Sequence, residues 1–436
     1  MSNDTTVAYV GLLEHLKSLL LCPDFKSRHR RNEKDFTRKR CLTFVILVIF
    51  LLNLVKRALQ DELDEFFKLL KGADVAVRTV TKSAFSQARK KLKYGAFVEL
   101  NQAQVAYFYN HFEFQTWYGF RLLATDGSTS ELPRTQEVME HFGAWHPAKG
   151  DPCPLARVSQ MFDVLNQVSV DAIIAPKALG ERALAALHFT LLQAGDLMLL
   201  DRGYPAFWLF ALILAQGAHF CARMPLGGWR VVEQFVASGL AQQTVTLYPS
   251  YEARKECLAR QLSIEPLTVR LIRIELDSGQ VEVLATSLLD NKLHPVAVFK
   301  ELYHQRWPVE EDYKIMKSRV EIENFTGTSV LAVYQDFHAK VFTKNLTAIL
   351  AFPAQQVVRQ NSQGKKYIYQ VNMTNALSKM KDAVVLLFQH TAILPILNRL
   401  WQVMTQVIEP IRPGRSYPRK MRVKRRRFPM TYKPIR

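Results

Sequence analysis

Two short apolar runs, each ending in an aspartate, constrain the fold of this chain more than any other feature. One extends from Leu122 to Asp126 and the other from Leu197 to Asp201, and a glycine follows each aspartate within two residues. Apolar runs of this length bounded by turn residues are typical of buried strands. An aspartate at the carboxyl end of such a strand lies where open sheets bind ligands, although each aspartate alone could simply cap a turn.

A second feature is the segment Phe299–Val320, which has the pattern of a helix. Tyr303, Arg306, Glu310 and Lys317 follow one another at offsets of three, four and seven residues. At about 100° per residue, these side chains project within an arc of roughly 60° on one helix face. A carboxylate between two cations and a phenol suits a divalent metal held against a phosphate. The alternative is an amphipathic helix with a salt-bridged surface.

Taken together, the two features resemble a known family. Asp126, Asp201 and Glu310 resemble the DDE triad of bacterial insertion-sequence transposases. The spacing Y-x2-R-x3-E-x6-K in the helical segment resembles the signature of the "insertion sequence four" group of these enzymes. The resemblance extends from about Ser83 to the C-terminus and is looser over the first eighty residues.

The resemblance implies chemistry on DNA with two Mg²⁺ or Mn²⁺ ions in each active site. Two metals about 3.5–4 Å apart activate the attacking water and stabilise the leaving oxygen of a phosphodiester. Carboxylates are the hard oxygen ligands that these ions prefer. We expect Asp126 to bridge both ions, with Asp201 and Glu310 each completing one site.

The other signature residues are expected to contact DNA. Arg306 and Lys317 would hold phosphates, the arginine through a planar fork and the lysine as a point charge. Tyr303 could donate a hydrogen bond to a phosphate oxygen. The resemblance further implies that cleavage exposes a 3′-hydroxyl at the element end, and that this hydroxyl then attacks target DNA.

The charge of the chain also indicates nucleic acid. Its 436 residues have a formal net charge of +19, whereas 48% hydrophobic and 22% charged residues are ordinary for a globular protein. Such an excess of positive charge favours a polyanionic partner, nucleic acid before membrane. The five cysteines are scattered without a C-x-x-C pair, which favours a reducing compartment. Together with the resemblance, these features lead us to expect double-stranded DNA as the partner and a bacterial, nucleoid-associated protein of the cytoplasm.

The strongest apolar run in the chain lies in the N-terminal region. Cys41–Val55 spans 15 residues and is interrupted by Asn53, which falls short of the roughly 20 residues that cross a membrane. We assign it to a core helix and expect no stable membrane association. Membrane contact through Val45–Leu52 is the alternative.

A basic helix is predicted next in the N-terminal region, over Val80–Leu92. It offers Arg89, Lys90 and Lys91 to DNA, although it could also be a solvated basic face. In the resembled family this region recognises the terminal repeats of the element.

The middle of the chain reads as α/β. A strand to Asp126, a hairpin turning near residues 166–167, a helix from Glu181, a strand to Asp201, a helix and a strand follow in order. This order predicts a ribonuclease-H-like core. Four segments rich in β-branched residues predict strands of a β-rich insertion: Arg230–Val236, Gln243–Tyr248, Leu267–Leu276 and Gln280–Leu288. Within the signature segment, Pro308 should bend or restart the helix because proline has no amide donor.

The predicted domain organisation has five parts. They are a helical DNA-binding domain over 1–95, the first part of the ribonuclease-H-like catalytic core over 96–224, the β-rich insertion over 225–290, the second part of the core with the signature helix over 291–350, and a helical C-terminal region with a basic tail over 351–436.

These observations predict a cut-and-paste DDE transposase that acts on the ends of its own element. We expect it to bind DNA as a homodimer. The alternative is a catalytically inactive DNA-binding relative, which the presence of all three carboxylates and all four signature residues disfavours.

Overall fold

The structure, a computed structural model, describes residues 3–148, 150–276, 278–412 and 433. The chain forms two compact units. The first comprises the described parts of Met1–Glu113, Ser130–Ala156 and Lys314–Arg436, and the second comprises Phe114–Thr129 and the described part of Arg157–Tyr313. Apart from Lys433, the predicted basic tail over 414–436 lies outside the described residues, and the five-part domain division stays a prediction.

The helices of the described chain follow one another in this order: α1 (Asn3–Leu21), α2 (Pro23–His29), α3 (Phe44–Leu52), α4 (Leu59–Lys71), α5 (Lys82–Arg89), α6 (Gly95–His111), α7 (Gln136–Phe142), α8 (Glu181–Phe189), α9 (Phe207–Ala215), α10 (Arg230–Ser238), α11 (Tyr251–Ala259), α12 (Val298–His304), α13 (Pro308–Ile315), α14 (Val330–Gln360), α15 (Met373–Gln389) and α16 (Leu394–Gln406). A π-helical turn, Met316–Val320, follows α13 directly.

The strands are likewise given in chain order: β1 (Arg121–Glu131), β2 (Ala144–Trp145), β3 (Cys153–Asp163), β4 (Val168–Pro176), β5 (Asp196–Leu200), β6 (His219–Met224), β7 (Gln242–Leu247), β8 (Leu267–Glu275), β9 (Val281–Thr286), β10 (Tyr369–Val371) and β11 (Ile408–Pro410).

One mixed sheet organises the second unit. Its order is β4-β3-β1-β5-β6-β9-β8-β7, and β2 pairs with the first residues of β3. Strands β1, β5 and β6 run parallel, whereas β6, β9, β8 and β7 are antiparallel neighbours. Every residue of β5 is buried, which explains its run of leucine and methionine. The chain is therefore a mixed α/β protein with parallel strands at the centre of its sheet.

The predicted order of elements through the sheet is confirmed. Strand β1, the β3–β4 hairpin, α8, β5, α9 and β6 follow in that order. The hairpin turns where predicted, and Gln167 there adopts a left-handed φ of 60°. Helix α9 is apolar on all sides and six of its nine residues are buried, as expected of a crossover helix between parallel strands.

The segment predicted as a β-rich insertion contains helices as well as strands. Arg230–Ser238 is helix α10, so its assignment as a strand is wrong. Its valines suggested a strand, but the buried pair Val232 and Phe235 has helical spacing, and Gly239 ends the helix at a left-handed φ of 70°. Strands β7, β8 and β9 do form, and they continue the central sheet beyond β6.

The first unit is mainly helical, and α14 lies at its centre. This 31-residue helix packs against α3, α6, α15 and α16. Helix α3 holds most of the strongly apolar N-terminal run, and seven of its nine residues are buried, so the prediction of a core helix is confirmed. Among the described residues, no helix is both long and apolar enough to cross a membrane.

Candidate active site

The two strand aspartates lie at the same end of neighbouring strands. Parallel pairs between β1 and β5 run from Arg121 with Asp196 to Ala124 with Leu199. Continuing this register by two residues brings Asp126 opposite Asp201. The register thus brings together two carboxylates that are 75 residues apart in sequence.

Asp126 does not end its strand, contrary to prediction. Strand β1 continues to Glu131 because β3 remains its neighbour after β5 has ended at Leu200. Asp201 does lie just beyond its strand, as predicted. Its carbonyl accepts the backbone N–H of Tyr204 at 3.0 Å, and this bond closes a tight turn.

The signature segment is not one continuous helix. Helix α12 ends at His304, α13 begins at Pro308, and the π-helical turn begins at Met316. The predicted restart at Pro308 is confirmed, and its cause is the missing amide donor. Tyr303 therefore lies on α12, whereas Glu310 lies in the first turn of α13.

Two signature residues nevertheless contact the carboxylates in the second unit. The Tyr303 hydroxyl lies 3.5 Å from Oδ1 of Asp201, a long contact. Nη2 of Arg306 donates to Oε1 of Glu310 at 2.6 Å. The side chains of Arg306 and Glu310 are 10% and 23% exposed, so their pair is only partly shielded from solvent.

The ionisable side chains of Asp126, Asp201, Arg306 and Glu310 influence one another electrostatically. Burial, the largest cause, and the charges of Glu310 and Asp201 raise the pKa of Asp126, while the Gly127 N–H and Arg306 oppose them, and the net pKa is about 6 instead of 3.8. Mutual influence of this kind places the three carboxylates and Arg306 in one electrostatic environment. Burial also raises the pKa of the Tyr303 phenol, which therefore keeps its proton as a donor.

Lys317 lies on the π-helical turn, in the first unit. A π turn advances differently from an α-helix, so the shared face derived from 3.6 residues per turn does not extend to it. Its contact with phosphate stays a prediction.

Comparisons with known proteins decide the family. The family described as "Transposase DDE domain" matches residues 117–346, more than half of the chain. The chain belongs to this family. The matched segment includes Asp126, Asp201, Glu310 and the whole signature, so the predicted family is confirmed.

A relative supports the same assignment. The chain is 27% identical over 253 residues to "Transposase InsG for insertion sequence element IS4" of Escherichia coli (strain K12). The alignment covers 57% of this chain and 55% of that transposase, so the chain matches about half the length of its relative. Among solved structures, a piggyBac transposase synaptic complex with hairpin DNA is similar at a TM-score of 0.47 and 8% identity, covering 93% of this chain and 87% of that one. Similarity at that level does not establish a shared fold.

The chemistry of these three carboxylates suits a hard divalent cation. Their donors are oxygens, and burial together with the charges of Glu310 and Asp201 raises the pKa of Asp126, a shift that a bound cation would oppose. Among the described residues, no three His, Cys, Asp or Glu side chains are close enough to ligate one metal ion as they stand. Glu310 is engaged by Arg306 in this arrangement.

Sequence reasoning missed Tyr204, which follows Asp201 by three residues in the sequence Asp-Arg-Gly-Tyr. Its hydroxyl is buried and has no hydrogen-bond partner among the described residues. Burial and the nearby charge of Asp126 raise its pKa, so the hydroxyl stays protonated. A buried donor without a partner beside carboxylates is suited to a ligand oxygen. The signal in the sequence that could have identified Tyr204 was its place in the turn directly after Asp201.

The predicted DNA contact through Arg89 is corrected by the structure. Arg89 is 5% exposed, and within the first unit it donates to Asp336, Gln335 and Thr326 at 2.8–2.9 Å. Its guanidinium therefore serves the core rather than a surface. Lys90 is exposed and Lys91 half-buried, so both stay candidates for DNA contact.

Proposed function

We propose that this chain is a DDE transposase of the "insertion sequence four" group. It binds the terminal inverted repeats of its own element, cleaves DNA at the element ends, and joins the 3′-hydroxyl ends to target DNA. Its core is ribonuclease-H-like, and its partner is double-stranded DNA, which it binds as a homodimer.

One observation supports this proposal most strongly. The β1–β5 register, continued by two residues, sets Asp126 opposite Asp201, and α13, which carries Glu310, is hydrogen-bonded through Tyr313 to the backbone carbonyl of Asp126. Concentrating three carboxylates is electrostatically unfavourable, and a fold retains such an arrangement where a ligand compensates for it.

In the proposed site, Asp126, Asp201 and Glu310 would hold Mg²⁺ or Mn²⁺. When bound, such cations would lower the pKa of water and stabilise the charge of the leaving oxygen. To ligate a cation Glu310 would have to leave Arg306, and the guanidinium would then be available to a phosphate oxygen. Tyr303 and Tyr204 retain their protons and can donate to substrate oxygens, and Lys317 neutralises a further phosphate.

The direct test is incubation with linear DNA that bears the ends of the source element, with and without Mg²⁺. We expect Mg²⁺-dependent nicks at the element ends that expose 3′-hydroxyls. Asp126→Ala, Asp201→Ala and Glu310→Ala should each abolish cleavage while binding to the ends persists. Cleavage that survives in the Glu310→Ala variant would remove Glu310 from the site and make Glu311 or Asp312 the next candidates.

The alternative, an inactive DNA-binding relative, predicts end binding without any cleavage at any Mg²⁺ concentration. For binding itself, Lys90→Ala with Lys91→Ala should weaken DNA affinity and reduce its salt dependence, because fewer counterions are released. An unchanged salt dependence in a binding titration would place the DNA contact elsewhere. Lys68→Ala with Lys71→Ala, on α4, provides a charge-matched control.

A further inference from the structure

Helix α13, which presents Glu310, is tied to the strand of Asp126 by the hydroxyl of Tyr313. That hydroxyl donates to the backbone carbonyl of Asp126 at 2.9 Å and lies 3.4 Å from the carbonyl of Val158. Tyr313 is 6% exposed, and burial raises its pKa well above the ordinary value. It therefore donates from a fixed, protonated phenol to the main chain of a catalytic residue.

A second polar contact fixes the preceding residue of the same helix. Nε2 of Gln160, on β3, donates to Oδ2 of Asp312 at 3.1 Å. Both oxygens of Gln160 accept hydrogen bonds as well. Its backbone carbonyl accepts from the hydroxyl of Thr125, and its side-chain Oε1 accepts from the hydroxyl of Ser169, both at 3.0 Å. Gln160 and Thr125 are fully buried, and Asp312 is 3% exposed. Buried polar groups that are mutually satisfied specify one arrangement.

Both contacts converge on the neighbourhood of Asp126. Thr125 precedes it, Tyr313 bonds its carbonyl, and Asp312 and Tyr313 follow Glu310 by two and three residues on one helix. These directional hydrogen bonds add to the apolar packing of α13 and restrict its position along β1. They therefore lie where they can set the separation between the Glu310 and Asp126 carboxylates.

We propose that Tyr313 and the Gln160–Asp312 pair are positioning residues that set the distance between Glu310 and Asp126 for metal binding. This inference rests on the proposed function, since it concerns the same three carboxylates. None of the positioning side chains needs to contact the metal or the DNA. Partners of metal ligands act in this way in other proteins, where their loss typically weakens metal affinity about 10–100-fold.

The test measures Mn²⁺ affinity of the full chain without DNA, by Mn²⁺ electron paramagnetic resonance, alongside the Mg²⁺ concentration that half-saturates cleavage. Tyr313→Phe keeps the ring and removes the hydroxyl. We expect its Mn²⁺ affinity to fall about 10–100-fold and its Mg²⁺ requirement to rise correspondingly. Asp312→Leu, which removes the acceptor for Gln160, is a second and independent break with the same expected result. Asp312→Asn keeps an acceptor oxygen and should rescue the affinity to near the parent value.

Ser159→Ala is the matched control for a merely structural effect. Ser159 lies between Val158 and Gln160 on β3, is 1% exposed, and shares a 3.0 Å hydrogen bond with Nε2 of His188, away from α13. We expect this variant to melt at a lower temperature with an unchanged Mn²⁺ affinity. An equal loss of Mn²⁺ affinity in Ser159→Ala and Tyr313→Phe would overturn the inference, as would parental affinity in Tyr313→Phe.

Asp126→Ala separates this inference from the proposed function. Suppose that the parent cleaves DNA, that Asp126→Ala no longer binds Mn²⁺, and that Tyr313→Phe binds Mn²⁺ as the parent does. In that case only the positioning role of Tyr313 is wrong. If Asp126→Ala binds Mn²⁺ as tightly as the parent, the metal site itself is wrong and both proposals fall.

Discussion

Strands β1 and β5 have ionisable residues at both ends of their shared stretch, and the two ends differ in how charge is handled. At the first end, Arg121 and Asp196 are register partners, and the guanidinium binds the carboxylate in a bidentate pair with both distances at 2.7 Å. At the other end, Asp126 and Asp201 oppose each other with the same sign of charge. We call the Arg121–Asp196 end the closed end, because the protein itself neutralises its charges. We call the Asp126–Asp201 end the open end, because its two like charges are left for a ligand to neutralise.

The difference shows why the closed end matters for the open one. A one-residue slip between two strands would turn every side chain of one strand to the opposite face. Arg121 is 8% exposed and Asp196 is 2% exposed, and a slip would separate them and leave two buried charges unpaired. We therefore expect the salt bridge at one end to fix the register that sets Asp126 beside Asp201 at the other.

The largest effect should come from an aspartate at the open end. Asp201→Asn keeps the shape of the side chain and removes its charge, so cleavage should fall by about 10³-fold or more, on the scale of several kcal/mol of lost charge stabilisation. The melting temperature should stay near that of the parent. Rates of nicking on end-bearing DNA measure the effect, and a loss smaller than tenfold would show that Asp201 is not a metal ligand.

The second effect concerns the closed end and stability. Asp196→Ala leaves Arg121 buried without its partner, so the free energy of unfolding should fall by about 3–5 kcal/mol. Chemical denaturation measures this loss. Replacing both partners, with Arg121→Met and Asp196→Leu, should restore much of the stability. A variant Asp196→Ala that unfolds within 1 kcal/mol of the parent would contradict the role of the pair in holding the register.

The contrast between the two ends was only partly readable from the sequence. Apolar runs that end in Asp126 and Asp201 predicted two buried strands, because burial on both faces leaves a local pattern of apolar residues. The pairing of Arg121 with Asp196 depends on which strands become neighbours, and no local pattern specifies that. The continuation of β1 to Glu131 was missed for a similar reason, since Asp126-Gly127 reads as a turn until β3 is known to lie alongside.

Other misses have the same origin. Arg89 reads as a surface cation in a basic helix, and its burial follows from Asp336 on the distant helix α14. Tyr313 and Gln160 are unremarkable in sequence, and their role arises from contacts with β1. By contrast, the restart at Pro308 was predicted correctly because the missing amide donor acts within one turn. Local backbone chemistry is thus legible in sequence, whereas buried polar contacts between distant segments are not.

The third effect tests whether the ionised carboxylate of Asp126, at the open end, destabilises the folded protein. The pKa of Asp126 rises from 3.8 to about 6 on folding, so the native state binds more protons than the unfolded state between these values. The contribution of Asp126 to stability should therefore fall as the pH rises from about 4 to about 6 and stay lower above that. Asp126→Asn removes this penalty and should stabilise the protein by up to about 3 kcal/mol at pH 8. Its advantage should shrink towards pH 4 in denaturant titrations.

Mg²⁺ sharpens that test. A cation that binds the carboxylates favours their ionised form, so adding Mg²⁺ at pH 8 should stabilise the parent and leave Asp126→Asn little changed. A stability difference between Asp126→Asn and the parent that does not grow between pH 4 and pH 6 would contradict the predicted sign and show that the open end is already neutralised by the protein.

The smallest expected effect concerns Arg306 and Glu310. This pair determines how much of the negative charge near the open end the protein itself neutralises. Their 2.6 Å contact resembles the closed pair of Arg121 and Asp196, but both side chains retain some exposure and the Arg306 Nε atom is buried without a hydrogen-bond partner among the described residues. A pair of this kind is expected to stabilise the fold by about 1 kcal/mol or less. Arg306→Lys and Glu310→Gln should therefore each melt close to the parent.

The two variants should then separate by function. Arg306→Lys keeps the charge and loses the planar fork, so Mn²⁺ affinity should remain near the parent value while cleavage and strand joining decline. Glu310→Gln keeps the shape and loses the anionic ligand, so its Mn²⁺ affinity should fall first. The control is Glu311→Gln, whose carboxylate accepts from the indole of Trp307 and is not assigned to the metal. If Arg306→Lys and Glu310→Gln both lose about 3 kcal/mol or more, the pair is a second closed salt bridge that holds α13 in place. The metal would then have to be assigned to Asp126 and Asp201 with a different third ligand.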